Sequence, residues 1–304
     1  MGFSLNHRNV CRPHPLARVS APFCLPLPVA SSHRLHQSPP AATQAAFVRP
    51  AAFDAAIFDM DGVITDTAAV HSRAWKQMFD EYLRPRAERG REAFREFTHG
   101  DDYLRYVDGR PRYQGVAAFL ESRGINLADG TPDDLPRTET VCGLGNRKNE
   151  LFNQIIATDG VKVYTSTLAL IHEFLRAGIK VGLATSSRNS ALILGRTQTA
   201  PLFATIVDGI VSERLGLNGK PAPDIFVTAA ANLGVPCARA IVVEDAVTGV
   251  RAGAAGGFGL VLGVARENNA QELRENGADV VVGDLAETSL VQINEQVRAK
   301  RDRI

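Results

Sequence analysis

Two aspartates one residue apart, Asp59 and Asp61, close the apolar run Ala55 to Phe58 in the stretch AAIFDMDGVITDT. Gly62 then breaks the strand that this run predicts. In open α/β sheets reactive groups gather where parallel strands end, so an Asp-x-Asp-Gly here stands where a ligand would bind. One carboxylate can attack while the other, two positions on, shuttles a proton. An anionic nucleophile facing an anionic substrate needs a hard cation. Two like charges about 4 Å apart repel by roughly 4 kcal/mol at an effective dielectric near 20, and a divalent ion reverses that sign. By itself the motif also suits a calcium loop or an Asx turn.

Three further strand ends carry polar groups. LATSSRN delivers Thr185, Ser186, Ser187, Arg188 and Asn189 at a helix start, where hydroxyls and amides can hold phosphate oxygens or simply cap the helix. GKPAPDIF sets Lys220 before two prolines that fix the backbone and present the ammonium, in a position that otherwise reads as surface. VVEDAVTGV ends a strand on Glu244 and Asp245. Adjacent acids at a buried edge are costly unless a proton or cation neutralises them. A ligand-free reading must therefore hold at all four strand ends independently.

The elements that position these groups alternate. Strands are expected at Ala55–Phe58, Lys180–Thr185, Thr205–Asp208, Ala240–Glu244, Gly259–Gly263 and Asp279–Val282. Helical spacing places Leu168, Ile171, Phe174 and Leu175 on one face between Ser166 and Gly178, with Thr165 or Ser166 as cap. Pro223 opens another helix, with Ile225, Phe226, Ala229, Ala230 and Leu233 inward and Gly234 ending it. The fold class is α/β: a doubly wound parallel sheet, a Rossmann-like core, carrying an inserted α-helical cap. The core is expected over 53–67 and 163–304, and the cap over 68–162, a charged and mostly helical segment too long for an ordinary crossover.

At 304 residues, 45% hydrophobic and 22% charged with net charge +1, the chain has a globular composition. That balance argues against nucleic acid or an anionic membrane as partner, and no apolar run is long enough to span a bilayer. Cys11, Cys24, Cys142 and Cys237 have neither metal-ligand nor disulfide-framework spacing, which suits free thiols in a reducing, cytoplasmic setting. A monomer is expected. Up to Pro50 there is no Asp, Glu or Lys but eight of the sixteen prolines, five arginines and four histidines. Residues 1–52 read as a disordered extension; a transit peptide is the alternative, and the proline content speaks against it.

The order Asp-x-Asp, Thr or Ser, Lys, acidic pair is similar to that of the haloacid dehalogenase superfamily, from roughly Phe53 to the C-terminus. Within it DMDGVITDTAAVHSRAW, LATSSRN, GKPAPDIF and VVEDAVTGV, with GRPR and GNRKN in the insertion, resemble the β-phosphoglucomutase-like branch. The resemblance implies Asp59 as a nucleophile forming an aspartyl-phosphate and Asp61 as general acid and base. It implies magnesium on the Asp59 carboxylate, the Asp61 backbone carbonyl and Asp245, with Glu244 adjacent. Thr185 and Lys220 would hold the transferring phosphoryl group, and Thr67 would belong to a hinge. His71 and Lys148 would couple cap closure to sugar binding. Arg112, with Ser186, Ser187, Arg188 and Asn189, would grip the other phosphate. Trp75, one turn from His71, reads as packing before it reads as a sugar platform.

Two stretches depart from the branch. Tyr164-Thr165-Ser166 stands where Tyr-Pro-Gly is usual, and Arg110-Pro111-Arg112-Tyr113-Gln114-Gly115 replaces an apolar, small loop. A longer polar loop, Ala128 to Arg137, has no assigned role. The activity implied is magnesium-dependent interconversion of β-glucose 1-phosphate and glucose 6-phosphate through glucose 1,6-bisphosphate. The alternatives are a sugar-phosphate phosphatase on the same core and a catalytically dead binding module. The last should have lost a nucleophile, the lysine or an acid pair, and none is missing.

Overall fold

The first strand, β1 (Ala55–Phe58), is buried along its whole length, with Ala56 and Phe58 in one apolar cluster and Ala55 and Ile57 in another. A strand covered on both faces must be continuously apolar, which is what AAIF supplies. The computed structural model describes residues 51–303. The expected N-terminal extension, with Cys11 and Cys24, falls outside the described residues apart from its last two positions. There the expectation is corrected: Ala52 is buried, its N–H donates to Asn294 Oδ1 (2.6 Å), and its carbonyl accepts from Arg301 (2.6 Å). Order thus begins before Phe53.

After β1 the chain enters an insertion of α1 (Ala68–Gly90), a wide π-helical turn (His99–Val107), α2 (Arg112–Ser122) and α3 (Val141–Asp159). The core resumes with α4 (Thr165–Arg176), β2 (Lys180–Ala184), α5 (Ser190–Thr197), β3 (Thr205–Val207), α6 (Gly209–Leu215) and α7 (Asp224–Asn232). It finishes with β4 (Ala240–Glu244), α8 (Val247–Ala255), β5 (Leu260–Val264), α9 (Ala270–Glu275), β6 (Val280–Val282) and α10 (Leu290–Arg301). The six strands are all parallel, in the order β3-β2-β1-β4-β5-β6. This is the doubly wound arrangement, and its topological switch point lies between β1 and β4. The α/β expectation holds. Among the described residues no helix is long and apolar enough to cross a membrane.

One face of the sheet packs on α4, α5 and α10 through Ile171, Phe174, Ile193 and Ile293; the other packs on α7 and α8 through Ile225, Phe226, Ala229 and Ala252. In α7 the residues expected inward are buried, Leu233 included. The α4 expectation needs correction. Tyr164, not Thr165 or Ser166, precedes the first turn, and Leu175 is 39% exposed. The buried stripe is Thr167, Leu170, Ile171 and Phe174, because Thr167 Oγ1 donates to Val63 O (2.7 Å) and rotates the helix toward β1.

The insertion has an aromatic centre. Phe79 lies 5.5 Å from Trp75, 5.1 Å from Phe97 and 4.1 Å from Phe119 between ring centroids, offset and tilted contacts that aromatic rings favour. The polar loop after α2 serves α3. Asn146 donates to Pro132 O (3.0 Å) and Asp134 O (2.8 Å), and Thr140 Oγ1 caps the helix by accepting from Gly143 N (2.9 Å). The insertion meets the core through two crossings that lie side by side. Asp66 N donates to Lys162 O (3.0 Å), and Tyr164 N donates to Ile64 O (2.9 Å). The Tyr164 ring lies 3.7 Å under the Arg266 guanidinium.

Candidate active site

Asp59 follows β1 directly, and its N–H donates to Val243 O of β4 (2.9 Å), which sets it level with Glu244 at the switch point. Lys220 rises from the loop before α7 and lies between them, 2.6 Å from Asp59 Oδ1 and 2.8 Å from Glu244 Oε2. All three are buried. The two carboxylates raise the lysine's pKa above its usual value even though burial alone would lower it. Burial, then Glu244, push Asp59 well above the carboxylate range against the pull of Lys220. Burial, Glu244 and Asp108 do the same to Asp245.

Carboxylate oxygens of Asp59, Glu244 and Asp245 come within 4.8 Å of one another. Two buried acids and a half-buried third, balanced by one ammonium, form a hard-oxygen donor set short of positive charge, which fits a divalent cation such as magnesium. Asp245 reaches this position because residue 62 has no side chain. A Cβ there would lie 1.7 Å from Asp245 Oδ2, and Gly62 also has φ +85°.

Asp61 is held differently. Thr67 Oγ1 donates to its Oδ1, and His71 Nε2 stands 3.3 Å from the same oxygen. Burial pushes this carboxyl upward, but His71, Thr67 and Lys148 together outweigh it and hold its pKa below the ordinary value. Behind His71, Lys148 Nζ lies 2.5 Å from Nδ1 and faces the rings of Trp75 (5.0 Å) and Phe152 (4.8 Å). Burial and Arg112 push Lys148 well below the usual lysine range, while burial and Lys148 lower His71.

A second pole forms where the insertion meets the end of β2. Asn149 Oδ1 of α3 accepts from Arg112 Nη2 (2.8 Å) and from Asn189 Nδ2 (2.9 Å). Ser187 N donates to Thr185 Oγ1 (3.1 Å), and Asn189 N donates to Ser187 Oγ (3.2 Å), so this turn is folded on its own hydroxyls. Ser186 Oγ reaches across to Gly109 O (3.0 Å). Arg188 Nη1 lies 2.5 Å from Glu213 Oε2.

One cavity of about 70 Å³ joins the two poles, lined by Asp59, Asp61, His71, Trp75, Arg112, Lys148, Thr185, Ser186, Ser187, Arg188, Lys220, Glu244 and Asp245. That is room for several waters at most. Of the residues singled out from the sequence, Thr67 and Asn189 stand behind the wall, on Asp61 and Asn149 respectively. Trp75 stacks on Phe79, the packing role expected of it, and also lines the cavity.

Polar residues beyond those singled out also contribute, two of them, Arg110 and Asn149, lying in the GRPR and GNRKN stretches. Tyr103, Asp108 and Arg110 also line the cavity, and Asn149 ties its far end. Burial lifts Asp108 to about 6 against the hydrogen bond from Tyr103, and Glu244 adds to the rise. Burial and Asp108 push the Tyr103 hydroxyl well above its usual value.

Three strand ends, those of β1, β2 and β4, converge on this cavity; Lys220, expected at a fourth, comes instead from the loop before α7, because α6 separates it from β3. The comparisons give the family of this α/β protein. The haloacid dehalogenase-like hydrolase model matches residues 53–257. The β-phosphoglucomutase of Mycobacterium bovis is 46% identical over 236 residues, 77% of this chain and 90% of that protein. The chain therefore belongs to the haloacid dehalogenase-like hydrolase family and resembles its β-phosphoglucomutase-like members. Among solved structures, β-phosphoglucomutase from Clostridium difficile has the same fold, with a TM-score of 0.62 at 24% identity, covering 82% of this chain and 98% of that one. CbbY from Rhodobacter sphaeroides in complex with xylulose-1,5-bisphosphate has a TM-score of 0.56 at 25% identity, covering 77% and 96%.

Proposed function

We propose that this enzyme interconverts β-glucose 1-phosphate and glucose 6-phosphate, by phosphoryl transfer through Asp59 with a glucose 1,6-bisphosphate intermediate. The observation that carries the reading is the pair of poles in one cavity. The strand-end pole pairs a nucleophile with Lys220 and an acidic cluster, while the far pole gathers cations that have no carboxylate inside the cavity. Arg112 donates to the neutral Asn149 and lies against Tyr113, with no carboxylate partner among the described residues, and its charge helps push Lys148 down. Such a group of cations is complementary to a second phosphate. The M. bovis relative carries the name β-phosphoglucomutase, and CbbY accommodates a sugar bisphosphate.

In this reading Asp59 attacks the phosphorus, and the bond to the departing sugar oxygen breaks as Asp61 protonates that oxygen. In the second half Asp61 takes the proton from the incoming hydroxyl while the phosphoryl group leaves Asp59. General acid–base help of this kind is worth about a hundred- to ten-thousand-fold. Lys220 and Thr185 hold the equatorial oxygens, where charge stabilisation and alignment supply most of the catalysis. When bound at Asp59, Asp245, the Asp61 backbone and the adjacent Glu244, a magnesium ion would offset the like charges of nucleophile, acids and phosphoryl oxygens. The insertion acts as the cap: His71 and Lys148 link its α1 and α3 to Asp61, and Thr67 sits at one of the crossings.

Hydrolysis on the same core is the second reading. It is favoured by the family model's hydrolase description and by Asp61, whose side chain is 19% exposed and reachable by water. One assay separates the two. Full-length protein is supplied with β-glucose 1-phosphate, magnesium and trace bisphosphate, and both glucose 6-phosphate and free phosphate are followed. Glucose 6-phosphate in large excess over free phosphate supports the mutase; stoichiometric free phosphate would establish the phosphatase instead.

A further inference from the structure

The loop between the π-helical turn and α2 contributes two guanidinium groups to the cavity, Arg110 and Arg112, and they are situated differently. Arg112 is bonded to Asn149. Arg110 makes no ion pair, side-chain hydrogen bond or ring contact among the described residues, and its Nε is buried with no partner. Two other arginines, Arg123 and Arg266, also have a buried nitrogen without a partner. Both spend their remaining nitrogens elsewhere: Arg123 on Asp102 (2.9 Å) and two backbone carbonyls, Arg266 on Asp284 (2.7 Å) and Gly62 O (3.0 Å). Arg110 alone of the three has nothing.

Arg110 is half-buried, and a buried guanidinium nitrogen without an acceptor, as at its Nε, is unfavourable and calls for an explanation. Slack in the loop does not provide one. The carbonyl of Asp108 accepts from Thr248 Oγ1 (3.1 Å), and that of Gly109 accepts from Ser186 Oγ (3.0 Å). Gly109 has φ +69°, and a Cβ there would lie 2.1 Å from Thr248 Oγ1, so the backbone is pressed against the core. Pro111 then fixes the next φ. The chain on either side of Arg110 is thus anchored, with the side chain against the cavity. Asp108, two residues away and also lining it, makes no ion pair with Arg110.

We infer that Arg110 is a substrate-binding residue, reserved for the anionic group at the far end of the substrate, where it acts beside Arg112 to take the non-transferring phosphate. The inference rests on the two-pole reading above and deepens it, by assigning to this chain a second guanidinium for that phosphate. A planar fork on each side of one phosphate gives more directional recognition than a single arginine. A ligand lacking the far phosphate leaves Arg110 as unsatisfied as it is without ligand, so the residue acts on selectivity between singly and doubly phosphorylated compounds.

Binding is measured on full-length Asp59→Asn protein, in which no turnover follows. Calorimetry in magnesium buffer compares glucose 1,6-bisphosphate with inorganic phosphate, with and without Arg110→Gln and Arg110→Lys. The expected result for the Gln variant is a loss of bisphosphate affinity at least about tenfold larger than its loss of inorganic phosphate affinity. The Lys variant keeps the charge without the fork, so a smaller drop of the same sign is expected. An unchanged ratio of the two affinities in either variant overturns the inference, as does an equal loss for both ligands. The readout is independent of the activity assay. Wild type failing to form glucose 6-phosphate would remove the mutase reading and leave this ratio to stand or fall alone.

Discussion

Lys220 Nζ lies 2.6 Å from Asp59 Oδ1, buried together with it, and the same ammonium holds Glu244 2.8 Å away. In the proposed mechanism one cation therefore serves structure and chemistry together. Replacing Lys220 by Ala leaves two buried carboxylates uncompensated, a change that typically destabilises by about 3–5 kcal/mol. If Lys220 holds the phosphoryl oxygens as proposed, the change also costs roughly a hundred- to a thousandfold in rate. Urea denaturation and single-turnover kinetics should show both losses. A variant with wild-type stability would contradict the paired geometry.

Asp108 gives stability a pH signature. Its folded-state pKa is raised to about 6 by burial and Glu244, so the folded protein binds a proton that the unfolded chain has released. For a raised carboxylate the sign is unfavourable at high pH: stability contributed by this group falls as pH rises from about 4 to about 6 and stays lost above that. Asp108→Asn should be more stable than wild type at pH 8 by on the order of 2 kcal/mol and nearly equal to it at pH 4. Equal gains at both pH values would mean that titration of Asp108 is not the cause.

Divalent cation should stabilise the folded protein without substrate. The Asp59–Glu244–Asp245 cluster repels itself, and a ligand at a hundred times its dissociation constant contributes about 2.7 kcal/mol. For a chain of this size that corresponds to a rise in Tm of roughly 5–10 °C. Magnesium added to EDTA-stripped protein should produce the shift, and Asp245→Asn should reduce most of it. A shift that survives in Asp245→Asn would place the ion elsewhere.

Asn149 fixes the far pole by accepting from Arg112 and Asn189 at once. Asn149→Ala should loosen both, and a hydrogen bond to a charged group is worth about 1.5–3 kcal/mol. The expected result is a KM for glucose 1,6-bisphosphate raised about tenfold or more, with a clearly smaller change for a small aryl phosphate. Parallel changes for the two substrates would remove Asn149 from the phosphate-binding end.

Much of this was legible in the sequence, for identifiable physical reasons. Asp59, Asp61, Thr185, Lys220, Glu244 and Asp245 each follow a short buried strand or a proline-fixed turn, and parallel strands deliver their ends to one rim. The inward face of α7 could be read because helical period and flanking Pro and Gly agreed. Other features depended on tertiary contacts. Leu175 lost its place in the core to Thr167, whose hydroxyl bonds across 104 residues of sequence to Val63. Asp108 and Arg110 sit in a loop with no period, and Asn149 lies in a charged run whose residue types alone read as solvated. Their positions follow from the docking of the insertion onto Thr248 and Ser186, which no local spacing encodes.

The most direct measurement follows the phosphoryl group itself. Full-length protein with magnesium is mixed with glucose 1,6-bisphosphate, quenched in acid and mapped by mass spectrometry. The account predicts one added phosphoryl group on the peptide carrying Asp59, absent in Asp59→Asn, which should also lose turnover. A phosphoryl group found on another residue, or turnover retained by Asp59→Asn, would contradict it.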